Sequence, residues 1–270
     1  MRSEASFGDG KGPTVLAGGP LLIAHRGGAG LAPENTMAAF RQAVDRWPVD
    51  MMELDVHATA DGHCVVIHDP TVDRTTNGQG VVAALSLAEL QTLDAGYRFE
   101  LDGEQPFRDR GVRIPTLDEV LDALPDVRLT IEVKAEAAQA LLFDAIRRHN
   151  ARDRVVAAGI HNRVRTLFST YDGAISASSE MIRTFWLFQR LRMARLRPIR
   201  ADVVQVPEVE GRVRVVTPRF VRDLHAQGVP VHVWTVNETA DMHRLLDWGV
   251  DGIITDRPDR LAAVLAERQR

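Results

Sequence analysis

MMELDVHATADGHCVVIHD, residues 51–69, sets the terms for the rest of the chain. Glu53 and Asp55 lie two positions apart inside an otherwise apolar run, Met51 to Val56. A strand has period two, so both carboxylates project from one face. Acids are rarely placed on an apolar strand unless that face meets solvent or a bound cation. Ala60-Asp61-Gly62 reads as a turn, and a second strand over Cys64 to Ile67 delivers His68-Asp69 at its end. One short unit of chain thus gathers two acids and a histidine.

Toward the N-terminus, Leu21 to Ala24 reads as a buried strand that runs into His25-Arg26-Gly27-Gly28. A base and a guanidinium beside open backbone suit an anion such as phosphate. Pro33-Glu34-Asn35-Thr36 follows, where Asn35 or Thr36 can cap a helix from Met37 to Trp47. With the strand at 51 this makes a βαβ unit. Toward the C-terminus, residues 70–115 break the rhythm with a turn-rich stretch (TVDRTTNGQG, 71–80), a short helix near Leu87 to Leu93 and a charged loop from Ala95 to Gly111. They read as one insertion after the second strand, too small in core to stand alone and placed to wall an active site.

Regular alternation then resumes. Strands are expected at 128, 155, 174, 203, 231 and 252. Helices are expected over Leu117 to Leu124, Glu136 to His149, Asn162 to Thr170, Glu180 to Leu196, Pro218 to Gln227, Glu238 to Trp248 and Pro258 to Glu267. Together with the strands at 21 and 51, the pattern predicts an α/β fold of the (β/α)8 TIM-barrel type. A doubly wound open sheet fits less well, because no G-x-G-x-x-G turn follows the first strand. The expected organisation is a flexible tail over 1–19 and one catalytic domain over 20–270. Barrel geometry gathers the C-terminal strand ends, where His25, Arg26, Glu53, Asp55, Glu132, Lys134 and Trp234 all fall.

Composition narrows the function classes. The chain has 270 residues with 45% hydrophobic content, enough for one large core. A net charge of -4 offers no general attraction for nucleic acid. The single cysteine, Cys64, excludes an internal disulfide and agrees with a reducing compartment, so a cytoplasmic location is expected. No apolar run is long enough for a transmembrane helix, and residues 1–19 lack the apolar core of a signal peptide.

Glu53, Asp55 and Glu132 would make a hard, oxygen-rich site suited to Mg²⁺, Ca²⁺ or Mn²⁺ rather than zinc. His25 and His68 supply groups that titrate near neutrality, as a proton acceptor and donor require. Arg26 and Lys134 can hold phosphoryl oxygens and balance charge in the transition state. Together these parts read as a metal-assisted phosphodiesterase.

Six ordered motifs carry a family resemblance: His25-Arg26-Gly27 with Pro33-Glu34-Asn35-Thr36, ELDVHATADGHCVVIHD at 53–69, IPTLDEVL at 114–121, IEVK at 131–134, VHVWTVN at 231–237 and GVDGIITDRP at 249–258. Over residues 20 to 260 the chain resembles the glycerophosphodiester phosphodiesterase family, whose characteristic insertion the segment after His68 also looks like. The resemblance implies a TIM barrel that hydrolyses a glycerophosphodiester to glycerol 3-phosphate and an alcohol. It implies a divalent cation on Glu53, Asp55 and Glu132, with His25 as proton acceptor and His68 as donor. It further implies phosphate binding by Arg26 and Lys134, and a substrate pocket lined by Trp234. His57 is expected to be a neighbour of the cluster rather than a ligand.

Between Glu180 and Asp202 lie six arginines, at 183, 190, 192, 195, 197 and 200, with no acid among them and with Phe185, Trp186, Leu187, Phe188 and Leu191 interleaved. This segment, 183–200, is a candidate for peripheral membrane contact or for guiding an acyl chain. At about 100° per residue the arginines do not gather on one helix face, which favours a barrel helix with a basic outer edge. Two other readings follow: a lysophospholipase D acting on lysolipid phosphodiesters at a membrane surface, and a non-catalytic barrel that binds phosphodiesters.

Overall fold

In a computed structural model of the chain, residues 13–269 are described. Strand β1 (Leu21–Ala24) leads through a 3-10 turn to helix α1 (Met37–Arg46), whose N-terminus is capped by Thr36 accepting from the Ala39 amide at 3.3 Å. Strand β2 (Met51–Ala58) turns back into β3 (Cys64–Val66), and the chain then passes through α2 (Leu87–Leu90) and α3 (Leu117–Ala123). There follow β4 (Arg128–Val133), α4 (Ala138–Arg148), β5 (Val155–Ala158), β6 (Ala174–Ile175) and α5 (Ser179–Arg190). The chain ends with β7 (Val204–Pro207), a hairpin β8 (Val209–Glu210) and β9 (Val213–Arg214), α6 (Pro218–His225), β10 (Val231–Trp234), α7 (Thr239–Asp247), β11 (Gly252–Thr255) and α8 (Pro258–Arg268).

Eight parallel strands run side by side in the order β6-β5-β4-β2-β1-β11-β10-β7, with β3 antiparallel on β2. The ring closes between β6 and β7, where Ser176 bridges Val203 and the Ala177 amide donates to the Val203 carbonyl at 2.8 Å. The eight expected strand positions are therefore those of a closed TIM barrel. Strand β2 is buried on both faces, as parallel strands under helices are. Met52, Leu54 and Val56 point outward into the main core with Phe40, Leu117 and Leu129. Met51 points inward with Leu21, Ile23, Val156, Val203 and Ile254, and alternation puts Glu53 and Asp55 on that same inner face, nearer the C-terminal mouth.

Several elements differ from expectation. The flexible tail read over 1–19 lies outside the described residues for 1–12. Residues 13–19 pack against the barrel floor, with Val15 only 2% exposed inside the inner cluster. The open N-terminal end of the barrel needs an apolar cover, and Arg128 fixes this one by donating to the carbonyl of Ala17 at 2.6 Å. Asn162 to Thr170 forms two 3-10 turns rather than a helix, because the buried Arg165 guanidinium donates to the carbonyls of Gly159 and Ser176 and holds the segment in tight turns. The helix read to Leu196 stops at Arg190, since Arg192 adopts φ +62° and the chain must bend back toward β7. Residues 70–115 pack around a cluster of their own, in which Val72, Val82 and Leu90 meet Val65 and Ile67.

His232 points into the barrel, is fully buried, and neither ring nitrogen has a hydrogen-bond partner. Burial pushes its pKa down from 6.5 to about 4, so the ring is neutral in the fold. Its folded pKa lies below its unfolded one. The cost linked to protonation is therefore absent above pH 6.5, and stability is lost as pH falls toward 4. Urea unfolding should show a loss of about 3 kcal/mol over that window, and His232→Leu should remove this part of the slope. An unchanged slope in the variant would assign the acid sensitivity elsewhere.

Candidate active site

The mouth of the barrel is shaped first by the turn after β1. His25–Gly27 form a 3-10 turn in which Arg26 takes φ +49° and Gly27 φ +85°. Any Cβ at Gly27 would stand 2.7 Å from the Phe40 ring, so only glycine lets the turn lie on α1. The turn brings the Arg26 amide to within 3.1 Å of Glu53 Oε2, where it donates a hydrogen bond. The Arg26 side chain reaches Asp55, with Nε 3.1 Å from Oδ2, and donates through Nη1 to Glu34 at 2.8 Å. Asn35, itself at φ +57°, donates through Nδ2 to Asp55 Oδ2 at 2.9 Å and accepts from the Asp55 amide at 3.3 Å.

Strand alternation supplies the acids. Glu53 and Asp55 from β2 and Glu132 from β4 each offer an oxygen, and these oxygens lie within 4.8 Å of one another. Asp55 and Glu132 are paired neighbours in the sheet register. Lys134, just past the end of β4, sits 2.9 Å from Asp55 Oδ1 and 2.8 Å from Glu132 Oε1. Burial, then the charge of Asp55, pushes the Glu53 pKa up to about 7. Burial also pushes Asp55 up, but Lys134 and Arg26 outweigh it and hold the group at about 2. Burial raises Glu132, against the pull of Lys134.

This donor set fits a divalent cation. It is all oxygen and carries more negative than neighbouring positive charge on one side. Asp55 Oδ1 is buried and, although near Lys134 Nζ, accepts no hydrogen bond of good geometry, so a lone pair remains available. The acidic group can hold a metal ion.

Two histidines flank the acids, each gripped at Nδ1 by a carboxylate. His25 Nδ1 is 2.6 Å from Asp256 Oδ1, while its Nε2 lies 3.9 Å from Glu53 Oε2. Asn237 donates to Asp256 Oδ2 at 2.8 Å and fixes it in turn. His68 Nδ1 is 2.6 Å from Asp69 Oδ1. Arg74 donates to Asp69 at 2.6 Å and, through both terminal nitrogens, to Glu34 at 2.7 Å. A continuous chain of ion pairs thus runs from His68 through Asp69, Arg74 and Glu34 to Arg26. Burial lowers His25, but the hydrogen bond to Asp256 and the charge of Glu53 overcome it and raise the pKa. Burial dominates at His68 and lowers it.

A cleft of about 540 Å³ opens onto His25, Arg26, Glu34 and Asp256, with Arg257 and Arg260 on its far wall. His25, Arg26, Glu53, Asp55, Glu132 and Lys134 therefore converge as the sequence suggested, and His68 joins them through the ion-pair chain. Trp234 ends β10 and rests on the inner apolar cluster, outside that polar network. His57 shares the inner face of β2, but its Nε2 is engaged with the His68 carbonyl at 3.1 Å, and it stands outside the acidic group. Sequence reasoning had not assigned site roles to Asn35, Glu34, Asp69, Arg74, Asn237 or Asp256. Asp69 and Asp256 had a usable signal, since each follows a strand that carries or neighbours a named histidine.

The fold and the site define a TIM barrel with a cluster of acids, cations and histidines at its C-terminal mouth. The model of the glycerophosphoryl diester phosphodiesterase family matches residues 25–260, and the chain belongs to that family of phosphoric diester hydrolases. It is 37% identical over 270 residues to a probable glycerophosphodiester phosphodiesterase 2 of Mycobacterium tuberculosis, covering 96% of this chain and 97% of the relative. A glycerophosphodiester phosphodiesterase of Caldanaerobacter subterraneus subsp. tengcongensis is 34% identical over 252 residues, covering 89% and 96%. Among solved structures, an Oleispira antarctica phosphodiesterase in complex with the product sn-glycerol-3-phosphate superposes with a TM-score of 0.74 at 26% identity, covering 92% of this chain and 97% of that one.

Asn35 supplies two of the hydrogen bonds on buried Asp55. Asn35→Ala should cost about 1.5–3 kcal/mol in urea unfolding, because a buried charge loses a donor. Asn35→Asp should cost more at neutral pH, since it sets a second carboxylate against Asp55. Equal stability of the two variants would show that the amide contributes packing rather than charge compensation.

Proposed function

We propose that the protein hydrolyses small glycerophosphodiesters to glycerol 3-phosphate and an alcohol, with His25 and His68 as its acid/base pair. The observation that carries this reading is the placement of two carboxylate-gripped histidines around one buried group of three acids and two cations. The relative from Oleispira antarctica holds sn-glycerol-3-phosphate, the product expected here.

In this reading Arg26 and Lys134 bind the phosphoryl oxygens, and Trp234 lines the pocket that takes the glycerol or head group. His25 accepts the proton of the neighbouring glycerol hydroxyl as that oxygen attacks phosphorus. His68 donates to the leaving alcohol oxygen, and the resulting cyclic phosphate is opened by water. Asp256 and Asp69 hold each ring by Nδ1 and keep Nε2 as the working nitrogen. A divalent cation, Mg²⁺ or Ca²⁺ with Mn²⁺ as a further candidate, would be held by Glu53, Asp55 and Glu132 and would supply Lewis-acid charge. The reading keeps the reaction in the cytoplasm, consistent with Cys64 as a free, buried thiol.

A lysophospholipid carries the same phosphodiester and is the alternative substrate. The arginine-rich segment does not support it as an acyl guide, because most of it, from Arg190 to Arg200, lies toward the N-terminal strand ends and away from the acids. The water-soluble diester is therefore the leading substrate class.

His25→Ala and His68→Ala should each lower turnover by about 10² to 10⁴ without unfolding the barrel. A normal rate from either variant would remove that histidine from the mechanism. Hydrolysis of glycerophosphocholine should exceed that of lysophosphatidylcholine, should stop with EDTA, and should return with a single divalent metal. Glu53→Gln should weaken the metal titration that restores it, and an unchanged titration would exclude Glu53 as a ligand.

A further inference from the structure

One surface stands apart from the catalytic mouth. Helix α5 starts at the mouth end, where the Ser179 amide donates to the Ile160 carbonyl just beyond β5. Its 12 residues carry the chain about 18 Å down the outside of the barrel. The chain then passes a 3-10 turn, Ala194–Leu196, and re-enters the sheet at Val203, near the N-terminal strand ends. Gln227, just past the C-terminal end of α6, holds this stretch by accepting from the Ile199 amide at 3.0 Å. The end of α5 and the turn after it therefore lie on the barrel face opposite the acids.

That face is chemically unusual for a chain of net charge -4. Arg190, Arg192, Arg195, Arg197 and Arg200 are all exposed there, Arg183 is exposed nearer the start of α5, and no acid occurs between Glu180 and Asp202. Among the described residues none of the six forms an ion pair, whereas most arginines around the catalytic mouth do. Between them Leu191 is 68% exposed and Leu196 62%, with Leu187 and Met193 also exposed. Two guanidinium groups lie over aromatic rings, Arg190 on Trp186 at 4.8 Å and Arg197 on Phe188 at 5.3 Å. An exposed apolar ridge fringed by unpaired cations matches a surface with negative charge outside and hydrocarbon beneath it. A second copy of the chain fits less well, because a two-fold contact would set the same arginines against one another.

We infer that the ridge formed by Leu187, Leu191, Met193 and Leu196, with the arginines around it, docks the protein on an anionic lipid surface. Docked this way, the catalytic mouth faces the aqueous side. The enzyme sits at the membrane and draws its substrate from solution, not from the bilayer.

The test is co-sedimentation of the purified full chain with vesicles of phosphatidylcholine alone or with added phosphatidylglycerol. Binding is expected only to the anionic vesicles and should weaken with salt. Replacing Arg190, Arg192, Arg195 and Arg197 together by Gln should weaken it at least about a hundredfold at low salt. Leu191→Ser/Leu196→Ser should weaken it at every salt concentration. Both variants should keep the wild-type melting temperature and the wild-type rate on a soluble diester, so loss of binding is separable from loss of catalysis. Vesicle-bound protein should also keep that rate. No binding by the wild-type chain, or equal binding by the arginine variant, overturns the proposal. A dimer that the variants dissolve assigns the ridge to self-association, and a drop in soluble-substrate rate on vesicles overturns the orientation.

Discussion

Asp55 is 1% exposed, and its charge has to be balanced inside the barrel. Lys134, Arg26 and Asn35 surround it at 2.9, 3.1 and 2.9 Å. Each ion pair gains several kcal/mol in a poorly polarisable interior, but removing the ions from water costs a similar amount. The net gain in stability is therefore small. What the cluster gains is position: Arg26 and Asn35 both adopt left-handed backbone to reach Asp55, so the turns after β1 and before α1 are set by one carboxylate. Glu53, left without an equal share of cations, is the acid whose proton is held most tightly of the two.

The same compensation spreads outward. Arg26 bridges Asp55 to Glu34, Glu34 is shared with Arg74, and Arg74 grips Asp69 beneath His68. On the other flank Asn237 and Asp256 perform that office for His25. Both imidazoles are thereby held in one orientation through Nδ1. Arg74 and Asp69 come from the segment following β3, so the excursion over 70–115 brings part of the support for His68. Its apolar cluster against Val65 and Ile67 anchors that support to the hairpin.

The molecule also separates its two chemistries along the barrel axis. The acids Glu53, Asp55 and Glu132 and the cations Arg26 and Lys134 occupy the C-terminal mouth, where strand ends converge and helices begin. Arg190 to Arg200, with the exposed Leu191 and Leu196, lie toward the N-terminal strand ends, where α5 ends. Between them the barrel interior is filled by Ile23, Met51, Val156 and Ile254, with the neutral His232 also fully buried.

Period-two placement of Glu53 and Asp55, the His-Arg-Gly-Gly turn, and eight alternating strand and helix segments are local patterns, and the sequence by itself determined them. Backbone geometry turns such patterns into faces without reference to distant residues. Convergence of His25, Arg26, Glu132 and Lys134 followed from the barrel rule that strand ends meet. Only the tertiary structure decided which partners hold those groups. Asp256 lies 231 positions from His25, and Arg74 lies 40 from Glu34, separations that no window of sequence spans. It also decided that Val15 covers the barrel floor, that Asn162 to Thr170 winds as 3-10 turns, and that α5 stops at Arg190. Each of these depends on what the rest of the fold leaves to be filled, bonded or reached, and that demand exists only once the barrel has closed.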